Sequence, residues 1–272
     1  AYSYNHRNEL LTARFGQVLA TANPAFTGTY SQLADYFVNI GGYDLNGNFK
    51  QSFIRRGPAN GKMDKLRYRY DKTGGKNRLT HIDDVWADFP GVDDLTDQAP
   101  NNYVYDARGQ LVEDIQADLR LEYDVYGKVK KVYERSTNDL KVTYLYDVTG
   151  QRVGKEVPTG NPGEVLKTYY ARAVGGQLQA IYEVLVSSSP GGQGSGSGSS
   201  GSGGVQLKEL SIYGAGRLGV ARYDGTLFGY EYQLSDHLGN VRAVITRNIR
   251  ELKQVLVYRD YYPFGWELPG RT

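Results

Sequence analysis

One short phrase returns five times in this chain and limits its fold more than any other feature: Tyr-Asp, two variable residues, then Gly. It stands at Tyr43-Asp44…Gly47, Tyr70-Asp71…Gly74, Tyr105-Asp106…Gly109, Tyr123-Asp124…Gly127 and Tyr146-Asp147…Gly150. A unit this small cannot bury its own apolar face, so a chain made of such units must stack neighbours to build a core. The phrase describes a strand running into a tight turn. Tyr suits a half-buried pleated surface, with its ring packed and its hydroxyl reaching water. The Asp side chain bonds backbone two residues on and closes the turn. Gly takes the positive φ that a short hairpin loop demands. A return strand follows: six residues after the Tyr stand the apolar Phe49, Leu111 and Val129.

The upstream side agrees. Tyr68, Tyr103 and Tyr144 each precede a motif Tyr by two positions, a spacing that puts each pair on one face of a strand. Weaker copies occur near both ends. Tyr2-Ser3-Tyr4-Asn5 has Leu10 six residues after Tyr4. Asp236-His237-Leu238-Gly239 has Ser235 in the Tyr place and Val241 in the return strand. Tyrosines repeated at every turn read as a packing ladder.

Composition points the same way. The 272 residues hold 24 Tyr against 8 Phe, 2 Trp and 1 Met, and 34 Gly, the balance of an all-β chain of short strands and turns. A net charge of +2, from 32 basic and 30 acidic residues, lacks the basic excess that phosphate contacts require, so no nucleic-acid partner is expected. With no Cys there is neither a disulfide framework nor a thiolate metal site. No apolar run reaches the roughly 18 residues of a membrane helix, so no membrane insertion is expected. Residue 1 falls at the start of a repeat strand, as in an internal fragment of a longer polypeptide. The lack of a signal peptide therefore says nothing about location.

Residues 1–272 are expected to form a single β region in four stretches. Residues 1–157 carry the repeats, with a short helix or irregular strand pair over Glu9–Ala20. Residues 158–186 form strands, two of them meeting at Gly175-Gly176. Residues 187–204, with 8 Gly and 8 Ser among 18, read as a flexible surface loop. Residues 205–272 resume strands at 207–213, 218–223, 230–234, 241–246 and 252–258, and end in Tyr261-Tyr262-Pro263-Phe264-Gly265.

The Tyr-Asp-x-x-Gly units resemble the YD repeats of RHS-type proteins. The segment Leu234-Ser235-Asp236-His237-Leu238-Gly239-Asn240-Val241-Arg242, followed by the Tyr-Tyr-Pro-Phe-Gly tail, is similar to the RHS repeat-associated core. The resemblance covers nearly the whole chain apart from the Gly/Ser stretch. It implies a curved, spiralling β-sheet built of hairpins, a segment of a hollow shell. Bacterial polymorphic toxins, insecticidal toxin-complex subunits and animal teneurins share that design. The implied role is a structural shell or surface scaffold that encloses or displays a cargo or effector domain. Its partners would be the rest of its own polypeptide and proteins of secretion or the cell surface, and its location secreted or on the surface, with wording most like Gram-negative surface proteins. Self-cleaving members carry an Asp-Pro motif near the core's end, and no Asp-Pro occurs here.

Chemistry finds little purchase in the sequence. His6, His81 and His237 share no ligand spacing, and no nucleophile elbow or phosphate-cradling loop is present. Six aspartates between 83 and 97 lack the ordered oxygen spacing of a calcium loop and read as a solvated loop. No catalytic, metal or cofactor residue is assigned and no enzyme activity expected. The competing reading is a carbohydrate- or protein-binding module that uses a tyrosine-rich sheet.

Overall fold

A chain of hairpin units folds most directly when each strand pairs with the next, because short connections cost little to close. The structure, a computed structural model, follows that rule throughout. It describes residues 2–14, 36–50, 52–73, 77–91, 94–187, 204–248 and 251–270. One six-stranded sheet runs in sequence order through β1 (Tyr2–Tyr4), β2 (Leu10–Ala13), β3 (Val38–Ile40), β4 (Ser52–Arg56), β5 (Lys62–Asp71) and β6 (Arg78–Asp84). A thirteen-stranded sheet, again in sequence order, begins with β7 (Tyr103–Tyr105), β8 (Leu111–Asp114), β9 (Leu119–Tyr123), β10 (Val129–Glu134) and β11 (Leu140–Tyr146). It continues through β12 (Arg152–Pro158), β13 (Glu164–Arg172), β14 (Leu178–Ser187) and β15 (Gln206–Tyr213). It ends with β16 (Arg217–Asp224), β17 (Thr226–Ser235), β18 (Val241–Asn248) and β19 (Glu251–Tyr258). The all-β expectation holds, and the strands expected after residue 205 all form.

The Tyr-Asp turns join β9 to β10 and β11 to β12, and the Ser235-Asp236 turn joins β17 to β18. In a meander, connections from odd to even strands fall on one edge of the sheet, so these turns share an edge. Each brings an irregularity with it. Leu145 pairs with Gly154 but Tyr146 with Arg152, leaving Val153 as an extra residue in the return strand. Lys130, Thr80 and Arg242 are extra in the same way opposite Tyr123, Tyr70 and Ser235. A one-residue bulge bends its strand and raises the local right-handed twist. Repeated at successive hairpins, it builds twist into the sheet.

The chain divides into two compact units, residues 1–104 with 258–272, and residues 105–257. The first has a conventional core. Ala13, Val38, Ile40, Phe53, Met63, Leu66 and Ile82 from its sheet pack with Tyr262 and Leu268 from the chain's far end. Met63 and Val38 are fully buried, each stabilising by about 1.5–3 kcal/mol relative to exposure. The second unit is an extended meander. Its fully buried apolar side chains among the described residues are Ala180, Val220 and Ala221, all small or medium. Most of its other strand positions are half-buried.

Over Glu9–Ala20 a strand forms at Leu10–Ala13, and residues 15–20 lie outside the described residues. So do 188–203 of the Gly/Ser stretch, and Gly74.

Candidate functional site

The motif residues do two separate jobs. The aspartates close the turns. Asp44 Oδ1 accepts the Asn46 and Asn48 amides at 2.9 and 3.0 Å, and Asp147 Oδ1 accepts those of Thr149 and Gln151 at 2.8 and 2.9 Å. Asp106, Asp124 and Asp236 repeat the same +2 and +4 offsets. Asp71 accepts the Thr73 amide. Gly47, Gly109, Gly127, Gly150 and Gly239 sit at φ between 77° and 87°, the left-handed region where a Cβ is penalised. Bonds to the charged form hold the turn carboxyls down. Asp44 falls to about 2, led by the Asn48 side-chain amide. Asp147 and Asp236 are lowered chiefly by the Thr149 hydroxyl and the Asn240 amide.

The tyrosines tie each hairpin to the one before it. Tyr146 donates its hydroxyl to the Val129 carbonyl at 2.9 Å, Tyr123 to Leu111 at 2.7 Å, Tyr43 to Leu10 at 2.7 Å and Tyr213 to Leu178 at 2.8 Å. Leu111 and Val129 are the residues six positions after the preceding motif Tyr. The reason lies in the register. The β10–β11 ladder begins at Lys131 and the β8–β9 ladder at Glu113, two residues beyond Val129 and Leu111. A phenol spans the gap where main-chain pairing has not begun, and supplies a donor to a carbonyl the ladder leaves over. These hydroxyls bond neighbouring backbone, a partner the sequence does not name.

Among the described residues, three further turns have the same main-chain bonds without the Tyr-Asp wording. They lie at Asn5, Ala173 and Tyr262, where the amide at the Asp place bonds the carbonyl four residues on and the amide at the Gly place bonds back. Asn5 substitutes fully for Asp, with Oδ1 accepting Arg7 and Glu9 amides, and Asn8 takes the Gly place at φ 59°. In the Tyr-Tyr-Pro-Phe-Gly tail, Tyr261 bridges Glu267, six residues on, as a motif Tyr does. The tail is thus one more repeat turn. The signal available in the sequence was the four-residue spacing from Tyr261 to Gly265.

That last turn lies against a concentration of buried charge in the first unit. Arg55 on β4 faces Asp64 on β5 as a cross-strand pair. Its Nη2 donates to Asp64 Oδ1 at 2.9 Å and its Nε to Oδ2. The guanidinium lies over the rings of Trp266 at 4.5 Å and Tyr262 at 5.6 Å. Asp94 Oδ1 stands 3.9 Å from Arg55 Nη2. Asp84, at the end of β6, completes a group in which one carboxylate oxygen from each of Asp64, Asp84 and Asp94 lies within 4.8 Å of the other two. Asp84 Oδ1 accepts the Lys65 and Trp86 amides, while Asp94 accepts those of Leu95 and Phe89. Burial, reinforced by the Asp94 carboxyl and opposed by Arg55, pushes Asp64 up to about 7. Beside the group a cavity of about 380 Å³ is walled by Phe49, Phe53, Leu66, Tyr68, Phe264 and Trp266.

The solvated loop expected over residues 83–97 is corrected at Asp84 and Asp94, while Asp88 and Asp97 are exposed. Asp84 is 8% exposed and the Asp94 side chain 2%, because backbone amides and Arg55 replace the water each carboxylate gives up. The missed signal was Asp64 itself, a charge between Met63 and Leu66 on a strand with alternating burial. The histidines stay separate in role. His81 sits beside Asp83, Nε2 to Oδ1 3.4 Å, while His6 and His237 occupy turns.

The family model described as Teneurin YD-shell matches residues 13–182, more than half of the chain. The chain belongs to the YD-shell family. Its five Tyr-Asp-x-x-Gly units all fall inside the matched stretch. No curated protein matches it. Among solved structures it is similar to the crystal structure of TcdB2-TccC3 without hypervariable C-terminal region, at 12% identity and a TM-score of 0.39. That alignment covers 98% of this chain and 16% of the other, so the chain spans about a sixth of that protein's length.

Proposed function

We propose that this YD-shell chain is a wall segment: a non-enzymatic structural scaffold of a secreted or cell-surface protein, which encloses or displays a cargo domain carried elsewhere in its polypeptide. The observation that carries this reading is the tyrosine ladder. The repeated side chains are committed to joining one hairpin to the next, which suits a residue set selected to extend a sheet. The second unit adds support. A meander of twelve strands from β8 to β19 that, among the described residues, fully buries few of its own apolar side chains is fitted to lining a space, with other parts of a larger assembly against it. The two units are then stretches of one RHS-type region, and the partners are further repeats and the cargo of the same polypeptide, with secretion or surface proteins beyond.

A cryo-EM map of the full natural polypeptide that contains these residues tests the proposal. The sheet should line a closed lumen holding other parts of that polypeptide. A sheet packed on both faces by its own repeats, with no enclosed space, overturns it. The tyrosine-rich binding module is tested alongside with a glycan array and Tyr→Ala changes at 68, 103 and 144. The scaffold reading expects lowered stability and no glycan retained.

A further inference from the structure

We propose that Asp64, Asp84 and Asp94 hold a hard divalent cation of calcium type inside the first unit. Charge makes the first argument. Three carboxylates are grouped with one guanidinium, which pairs with Asp64 and stands 3.9 Å from Asp94, so when all are ionised the group carries a formal charge of −2 in a buried place. Such a charge needs a counter-ion or protons, and a divalent cation balances it fully. Arg55 is not free to supply more, because it is engaged bidentately with Asp64 and sandwiched against Trp266 and Tyr262.

The second argument is an orphaned atom. Asp84 is more than nine-tenths buried. Its Oδ1 is held by two backbone amides, yet its Oδ2 is buried with no hydrogen-bond partner. A buried carboxylate oxygen left without donor or cation is costly. An ion shared with the neighbouring carboxylates removes that cost.

Donor chemistry and geometry set the class. The three ligands offer only oxygen, with no His in the group and no Cys in the chain, which suits calcium, magnesium or manganese rather than zinc or copper. Ligand oxygens within 4.8 Å of one another fit around an ion with bonds of about 2.3–2.6 Å. Water would fill the remaining positions, as six to eight oxygens usually surround calcium. The carboxylates are positioned in advance: Asp64 by Arg55, Asp84 by the Lys65 and Trp86 amides, Asp94 by the Leu95 and Phe89 amides. Because they come from β5, the end of β6 and the loop beyond, no linear motif announces them. The expectation of no metal residue drawn from the sequence is replaced by this proposal, which stands or falls separately from the shell reading.

The test uses the whole chain stripped with EDTA. Calcium, magnesium and manganese chlorides are added in turn, and thermal unfolding and titration calorimetry are read. Calcium should bind one to one and raise Tm by about 5 °C at a hundredfold excess over Kd. Asp84→Asn keeps the Oδ1 acceptor and removes one charge, so it should fold at least as stably as the metal-free wild type and lose the response. The exposed Asp88→Asn should keep it. Luminescent terbium, excited through nearby Trp86 and displaced by calcium, reports the site in wild type if the variant fails to fold. No heat and no Tm change with any of the three ions, or a response that Asp84→Asn retains, overturns the proposal. In the first case a proton shared by Asp64 and Asp94 is the balancing charge.

Discussion

At the residue scale, the tyrosine hydroxyl matters more than its ring alone suggests. Tyr146 and Tyr126 stand in neighbouring repeats with opposite fates: one hydroxyl bonds the Val129 carbonyl, while the other residue is 86% exposed at a turn tip. Tyr146→Phe should cost about 1 kcal/mol, visible as a lower Tm, and Tyr126→Phe should leave Tm unchanged. The turn carboxyls give a pH signature. Asp44 is lowered from 3.8 to about 2 in the folded chain, so folding favours its ionised form. The stability it adds is present above pH 3.8 and lost as pH falls through about 2. A Tm-against-pH comparison with Asp44→Asn should show the wild type's advantage shrinking over that window, with no matching change above it.

Turns and strands behave as units one level up. At Gly127, φ is 77° and a Cβ would meet Gln110 Nε2 at 3.0 Å, whereas Gly216 has open space and no positive φ. Gly127→Ala should cost about 1 kcal/mol or more and Gly216→Ala little; equal Tm shifts would count against the turn geometry. The tail turn shows how an element can matter without regular structure. Leu268 is 2% exposed in the first unit's core, and the Tyr262 hydroxyl bonds the Arg56 carbonyl at 2.7 Å. Leu268→Ala should destabilise by about 2–5 kcal/mol and speed amide exchange in β4 and β5. Leu45→Ala, at a turn tip 93% exposed, should do neither.

Across the whole molecule, sequential pairing makes stability a sum of neighbouring contacts. Gly219 on β16 provides a test, since a Cβ there would overlap the Glu231 carbonyl oxygen of β17. Gly219→Ala should accelerate hydrogen exchange in β15, β16 and β17 and leave β9 to β12 at wild-type rates. A uniform loss across the sheet would instead mean a single cooperative block.

Much of this design can be read from local wording. Asp44 or Asp147 with a Gly three residues on specifies its own turn, because every bond that closes it lies within four residues. The all-β class, the meander order and the positive-φ glycines follow from that. The partner of each tyrosine hydroxyl does not, since Tyr146 and Val129 meet where the ladder between their strands has not begun. Nor does the fate of Asp84 and Asp94, which read as loop acids until β4, β5 and the tail turn enclose them. Sequence by itself determined the repeating unit, whose interactions are local. Only the tertiary structure decided which charges are buried together and which repeats are joined, because burial and long-range bonds depend on the packing of segments up to two hundred residues apart.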